Sequence, residues 1–211
     1  MLRLTLYAAL CVLISAVQPL SAQLTKEQFT DLIETTRWIE SHRIGYAEEC
    51  KLPGESETWV MDCSNTSRYL YKRALGIELP RVASGQYWVL DQEGLVYQAR
   101  EREDGSVDQD HLIEQLASGD LLFWEWTYDI KRRPPITHVM IYLGKNKQGQ
   151  PMMVGSSSRK NGGVGIYPFD PNAPMGGVRG FFGGWKHKAK FVGYGRPLAK
   201  QPKETQLAAR D

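Results

Sequence analysis

The chain is poor in the residues that assemble metal and redox centres. Its 211 residues include three cysteines and four histidines. There is no Cys-x-x-Cys pair, no His-Glu-x-x-His, no EF-hand loop, no Walker loop and no dinucleotide fingerprint. Neither a metal nor a cofactor is therefore expected. Gly162-Gly163 and Gly176-Gly177 read as loop glycines rather than phosphate cradles. Long basic runs are also missing and the formal charge is only +2, which argues against a nucleic-acid partner. Beyond the first 22 residues no apolar run approaches the ~20 residues that a membrane span needs.

The start of the chain differs from the rest. Arg3 precedes an almost wholly apolar stretch, Leu4 to Val17, and Pro19-Leu20-Ser21-Ala22 offers a small-residue cleavage site. Residues 1–22 read as a secretory signal, cut after Ala22, and no lipobox surrounds Cys11. The mature protein is expected to be periplasmic or secreted and monomeric. Arg3 is the only charged residue of the leader, so the remainder carries about +1. Residues 23–196 suit one domain, large enough to bury a core without staples. The polar end, 197–211, is expected to be disordered.

Helical signals come first. Thr25-Lys26-Glu27-Gln28 has the form of a capping box ahead of apolar residues at helical spacing, so a helix is expected over 26–42. Residues 45–58 read as loop. Asp62 is a good N-cap for a helix that ends at Gly76. Leu79-Pro80-Arg81 breaks into a connection, and a short helix follows over 108–117. Strand signals then take over at 121–126, 136–143, 152–156, 164–168 and 190–194. Helices followed by strands imply an α+β fold with a largely antiparallel sheet. The Gly/Pro-rich stretch 170–184, with Phe181 and Phe182, is either a plain insertion or a loop over a site.

Two segments carry the chemistry. Asp62-Cys63-Ser64 places a thiol at the first position of a helix, where unpaired N–H groups and the positive end of the dipole favour a thiolate. The same N–H groups suit an oxyanion. Cys50 and Cys63 remain once Cys11 leaves with the leader, and a secreted protein with two cysteines also suggests a disulfide. The polar, turn-forming neighbours of Cys63 favour a free thiol instead. His138 lies on a strand pattern, whereas His42 and His111 fall in polar helical contexts and His187 in a Lys-rich stretch. His138 is either a core histidine or a base held on a rigid element.

Asp62-Cys63-Ser64 and its helix, the run Gly76-Ile77-Glu78-Leu79-Pro80-Arg81 through Ser84 and Gln86, Ser118-Gly119-Asp120-Leu121-Leu122-Phe123-Trp124, His138-Val139-Met140-Ile141-Tyr142-Leu143-Gly144 and Phe191-Val192-Gly193-Tyr194-Gly195-Arg196 occur in that order. Together they resemble the NlpC/P60 cysteine peptidases. The resemblance implies a papain-like α+β fold and cleavage of peptidoglycan peptides, commonly next to D-glutamate. It makes Cys63 the nucleophile, His138 the general base and Tyr46 a residue that lines the site and assists the oxyanion. Two departures stand out. The glycine usual after Cys-Ser is Asn65, and the polar residue that orients the histidine falls on Val154 or Gly155, leaving the Ser156 hydroxyl, a backbone carbonyl or a water to substitute. Two alternatives follow: a wall-binding domain that keeps the fold without catalysis, and an amidase or acyltransferase acting on another substrate.

Overall fold

The computed structural model describes residues 24–52, 54–158 and 162–200. The expected leader, 1–22, lies outside them. The first helix, α1 (Lys26–Ser41), starts with the expected capping box: Gln28 N–H donates to Thr25 Oγ1 and Thr25 N–H to Gln28 Oε1. α2 (Cys63–Leu75) runs from Asp62, whose carboxylate accepts from Asn65 N–H, to Gly76 at φ 67°. A left-handed C-cap of this kind costs glycine least.

Two elements carry weak sequence signals. α3 (Ala83–Asp91) begins at Val82 without a side-chain cap and opens on Ala-Ser-Gly. β1 (Val96–Gln98) has only three residues. The short helix is α4 (Gln109–Gln115), capped by Asp108.

The strands β2 (Leu121–Glu125), β3 (Ile136–Lys145), β4 (Pro151–Ser157) and β5 (Gly163–Pro168) follow as expected to within two residues. Within 170–190, β6 (Gly177–Arg179) and β7 (Trp185–Lys188) form a separate two-stranded hairpin, and β8 (Lys190–Gly195) returns to the main sheet. That sheet has the order β1-β8-β2-β3-β4-β5, with every pair antiparallel. The expected α+β architecture is observed.

Strand alternation gives the sheet two apolar faces. On one, Leu121, Phe123, Val139, Ile141 and Val154 pack with Leu32 and Ile39 of α1, Leu70 and Tyr71 of α2 and Leu90 of α3. On the other, Leu122, Trp124, Met140, Tyr142 and Phe191 pack with Phe169, Val107 and Leu112 of α4. Complete burial of one such side chain stabilises the fold by roughly 1.5–3 kcal/mol. Arg196 clamps the end of β8 to the start of β2 through a two-pronged ion pair with Asp120, at 2.9 and 2.8 Å.

Order also continues past the boundary expected at Pro197. Residues Pro197–Lys200 form a 3-10 turn, and Leu198 is buried against Gly119 and Leu24.

Candidate active site

Cys63 is the first residue of α2, and its surroundings are fixed from several directions. Asp62 Oδ1 accepts from Asn65 N–H (2.6 Å) and from Ser64 Oγ (3.1 Å). Its other oxygen pairs with Arg81 at 2.9 Å. Arg81 also donates to Ser64 Oγ at 2.9 Å and to the Glu48 carbonyl. Gln86 on α3 donates to the carbonyls of Ser64 (3.2 Å) and Pro80 (3.0 Å) and accepts from Ser67 Oγ (2.8 Å). Arg81 and Gln86 therefore hold the first turn of α2 in place. No local sequence signal gives either residue this role, because their bonds form only when α3 and the connection before it pack on α2.

The cysteine side chain is 5% exposed and opens on a cavity of about 300 Å³. Tyr46, Glu48, Asp62, Ser64, Arg81, Tyr128, Arg132 and Thr137 also line it. Tyr46 and Cys63 thus line the same cavity. Tyr128 and Arg132 come from the β2–β3 connection and bond each other at 3.1 Å. Thr137 ties that connection down by accepting from Thr127 N–H (2.8 Å) and Thr127 Oγ1 (2.9 Å).

Burial pushes the Cys63 thiol up to about 12. The N–H groups of Val139, Ser64 and Cys63 itself act in the opposite direction, and the Asp62 charge adds to the rise. A helix start alone favours a thiolate, whereas burial acts against it here and outweighs the N–H groups around the sulfur. Burial, then the Cys63 and Asp62 charges, also raise Tyr46 to about 12, leaving its hydroxyl protonated as a donor. Cys50 is exposed, and it and Cys63 are both free.

His138 sits one residue before Val139, whose N–H bears on the sulfur. It is 7% exposed, lies edge-on to Trp124 with centroids 5.6 Å apart, and is not among the residues lining the cavity. His42 is bonded to the Trp38 carbonyl at 2.7 Å and sits against the Trp38 and Trp59 rings. His111 is exposed, and His187 stacks on Trp126.

The positions expected to orient the imidazole, Val154, Gly155 and Ser156, all lie on β4. The β3–β4 ladder runs from Lys145↔Pro151 to Ile141↔Val154 and ends there among the described residues. Counting on from that last pair, Gly155 is level with Met140 and Ser157 with His138. Val154 faces the helices and is fully buried. A side chain at Gly155 would meet Met140 Cγ at 2.7 Å, so the room beside the histidine strand is already filled. Ser156 Oγ donates to the Met61 carbonyl at 2.8 Å. In this structure the Ser156 hydroxyl braces the approach to Cys63.

Among the described residues no cluster of three or more His, Cys, Asp or Glu is placed to hold a metal ion. None of their helices is long and apolar enough to cross a membrane.

A cysteine at a helix N-terminus, set against an antiparallel sheet, defines the papain-like class of α+β folds. The model of the NlpC/P60 family matches residues 51–168, more than half of the chain, and the protein belongs to that family. Members are generally cysteine peptidases or amidases with peptidoglycan-related activity, often secreted or associated with the cell wall. Comparison with curated proteins gives no match. Cys63 and His138 fall within the matched segment, whereas Tyr46, α1 and the β6–β7 hairpin fall outside it.

Proposed function

We propose that the protein is a secreted cysteine hydrolase that cleaves amide bonds in peptidoglycan peptides next to D-glutamate. The observation that carries the reading is the position of Cys63. It opens α2 on the floor of a cavity, with the backbone N–H groups of Val139, Ser64 and Cys63 around its sulfur. The Arg132 guanidinium on the same cavity suits a substrate with a free carboxylate, while Arg81 is held by Asp62, Ser64 and Glu48.

His138 takes the thiol proton as the sulfur attacks the amide carbonyl. The N–H groups at the start of α2 and the Tyr46 hydroxyl donate to the tetrahedral oxyanion. The intermediate collapses to a thioester as the imidazolium gives its proton to the departing amine. Water, deprotonated by the same imidazole, then releases the acid and restores the thiol.

The test is incubation with purified muropeptides, read by mass spectrometry. New fragments that disappear with Cys63→Ala support the reading. No fragments from the parent protein, or fragments that persist in the variant, overturn it.

A second reading is a wall-binding domain without catalysis. It is favoured by Met140 filling the space at Gly155 and by the strongly raised thiol. Sedimentation with peptidoglycan sacculi, unaccompanied by any released product, would select it.

A further inference from the structure

Of its six phenylalanines the protein buries three and presents two almost fully. Phe181 and Phe182 are 97% and 96% exposed at the tip of the β6–β7 hairpin, while Phe123, Phe169 and Phe191 are buried in the core. Their rings meet edge to face at 5.2 Å and form one wedge. The turn beneath them is well bonded. Gly180 N–H donates to the Gly184 carbonyl (2.7 Å), Gly183 N–H to the Gly180 carbonyl (3.0 Å) and Arg179 Nη1 to the Gly183 carbonyl (3.0 Å). Arg179 stacks on Trp185 at 3.9 Å. At its base, the hairpin is fixed to the β2–β3 connection by the His187–Trp126 stack and by Lys186–Asp129 at 3.0 Å.

Composition names the partner. From Gly176 to Lys190 there is no Asp, Glu, Asn, Gln, Ser or Thr. The hairpin offers only glycine, apolar and aromatic side chains, His187 and the cations Arg179, Lys186, Lys188 and Lys190. The adjoining connection adds Lys131, Arg132 and Arg133. Against these seven cations stand two paired carboxylates, Asp129 on Lys186 and Glu101 on Lys190. A sugar-binding platform sets carboxylate, amide or hydroxyl acceptors beside its rings, and residues 176–190 contain none of these. An apolar tip with a cationic collar matches an anionic lipid surface, where rings enter the headgroup zone and cations meet phosphates.

We propose that the β6–β7 hairpin docks the protein peripherally on an anionic phospholipid bilayer, with Phe181 and Phe182 inserted and Arg179, Lys186 and Lys188 at the phosphates. Because Tyr128 and Arg132 of the adjoining connection line the Cys63 cavity, docking holds that cavity close to the membrane surface.

The test uses the whole protein and vesicles of phosphatidylcholine, with or without phosphatidylglycerol. Co-sedimentation is expected with the anionic vesicles, weakened by high salt. The double variant Phe181→Ser, Phe182→Ser should partition at least about tenfold less. Each basic residue near the surface is worth roughly fivefold, so Lys188→Glu should also weaken binding several-fold. Both changes are at exposed sites, and unchanged thermal melting will confirm that the variants fold. Quenching of tryptophan fluorescence by brominated lipid gives a second readout of insertion. Absence of binding by the parent protein, or equal binding by parent and double variant, overturns the proposal. So does loss of binding to peptidoglycan sacculi in the double variant when vesicles are ignored by both.

Discussion

The two faces of the main sheet are covered by different means. One lies under three helices and is largely aliphatic, with Leu32, Ile39, Leu70, Val139, Ile141 and Val154 in contact. The other lies under loops and the seven-residue α4, and its centre is aromatic, with Trp124, Tyr142, Phe169, Phe191 and Tyr194. Cys63 belongs to the first face and His138, against Trp124, to the second. An intact sheet would keep the two apart. The β3–β4 ladder stops at Ile141↔Val154, and beyond it the Val139 N–H bears on the Cys63 sulfur. Ser156 Oγ holds the Met61 carbonyl at the same place. Cys63 therefore lies at a seam between strands, one residue from the histidine strand position 138 through the Val139 N–H.

The largest effect tests whether the faces communicate through that seam. His138→Ala is expected to lower hydrolysis by ~10²–10⁴-fold while the protein still folds, as loss of a general base does. His42→Ala, His111→Ala and His187→Ala should retain activity. Near-parental turnover in His138→Ala would mean that the second face contributes only packing. Steady-state rates on muropeptides, with circular dichroism as a folding control, distinguish these results.

A further substitution probes the helical face. Placing a histidine at Val154 looks, from sequence, like restoring a missing orienter. The structure predicts the opposite, because Val154 is fully buried among aliphatic side chains. Overpacking costs about 1–3 kcal/mol, and an unpaired polar group in the core adds a comparable amount. Val154→His should therefore lose about 2–5 kcal/mol of stability in denaturant unfolding and gain no turnover. A stable, faster variant would show that Val154 faces the imidazole after all.

Cys50 and Cys63 provide the comparison between surface and seam. With Cys63 raised to about 12 by burial, only about one thiol in ten thousand is ionised at pH 8. Cys50, exposed, should be alkylated first. Labelling of Cys63, followed by peptide mass spectrometry, should rise about tenfold per pH unit between pH 7 and 9 without a plateau. A plateau in that range would mean that thiolate and imidazolium already pair in the resting protein. Stability follows the same sign. As pH rises above about 9, the unfolded chain loses this thiol proton before the folded one does, so Cys63 favours unfolding between about 9 and 12. Cys63→Ser should remove that contribution to the pH slope.

Sequence carried the local features of the fold well. The Thr25–Gln28 capping box, the Asp62 and Gly76 caps and the five strands of the main sheet from β2 to β8 all have short-range signals, and each is present. α3 has neither a capping side chain nor a polar start, so nothing local announces it. The pairing of Cys63 with Tyr46 in one cavity was legible through the family resemblance. The rise of the thiol was not, because desolvation depends on how deeply α2 is packed and not on the residues beside Cys63. The orienting position was also out of reach, because the long β3–β4 hairpin sets a register that alternation alone does not count. The end of the ladder at Ile141↔Val154 depends on tertiary packing around Met61 and Cys63.

The smallest effect gives the finest comparison, since Ser156 and Ser157 are neighbours on opposite faces. Ser156 serves the helical side through its bond to the Met61 carbonyl. Ser156→Ala leaves that buried carbonyl short of a donor and should cost about 1–3 kcal/mol, with a modest loss of turnover from a looser Cys63. Ser157 is level with His138 by the register counted from Ile141↔Val154 and is buried on the same side. Its substitution by Ala should leave stability within about 1 kcal/mol and act on the base instead, shifting the acidic limb of the kcat/KM profile. Equal stability losses with unchanged pH profiles would make both serines structural. A pH shift in Ser156→Ala but not in Ser157→Ala would return the orienting role to Ser156 and show that the imidazole turns toward the helical face during turnover.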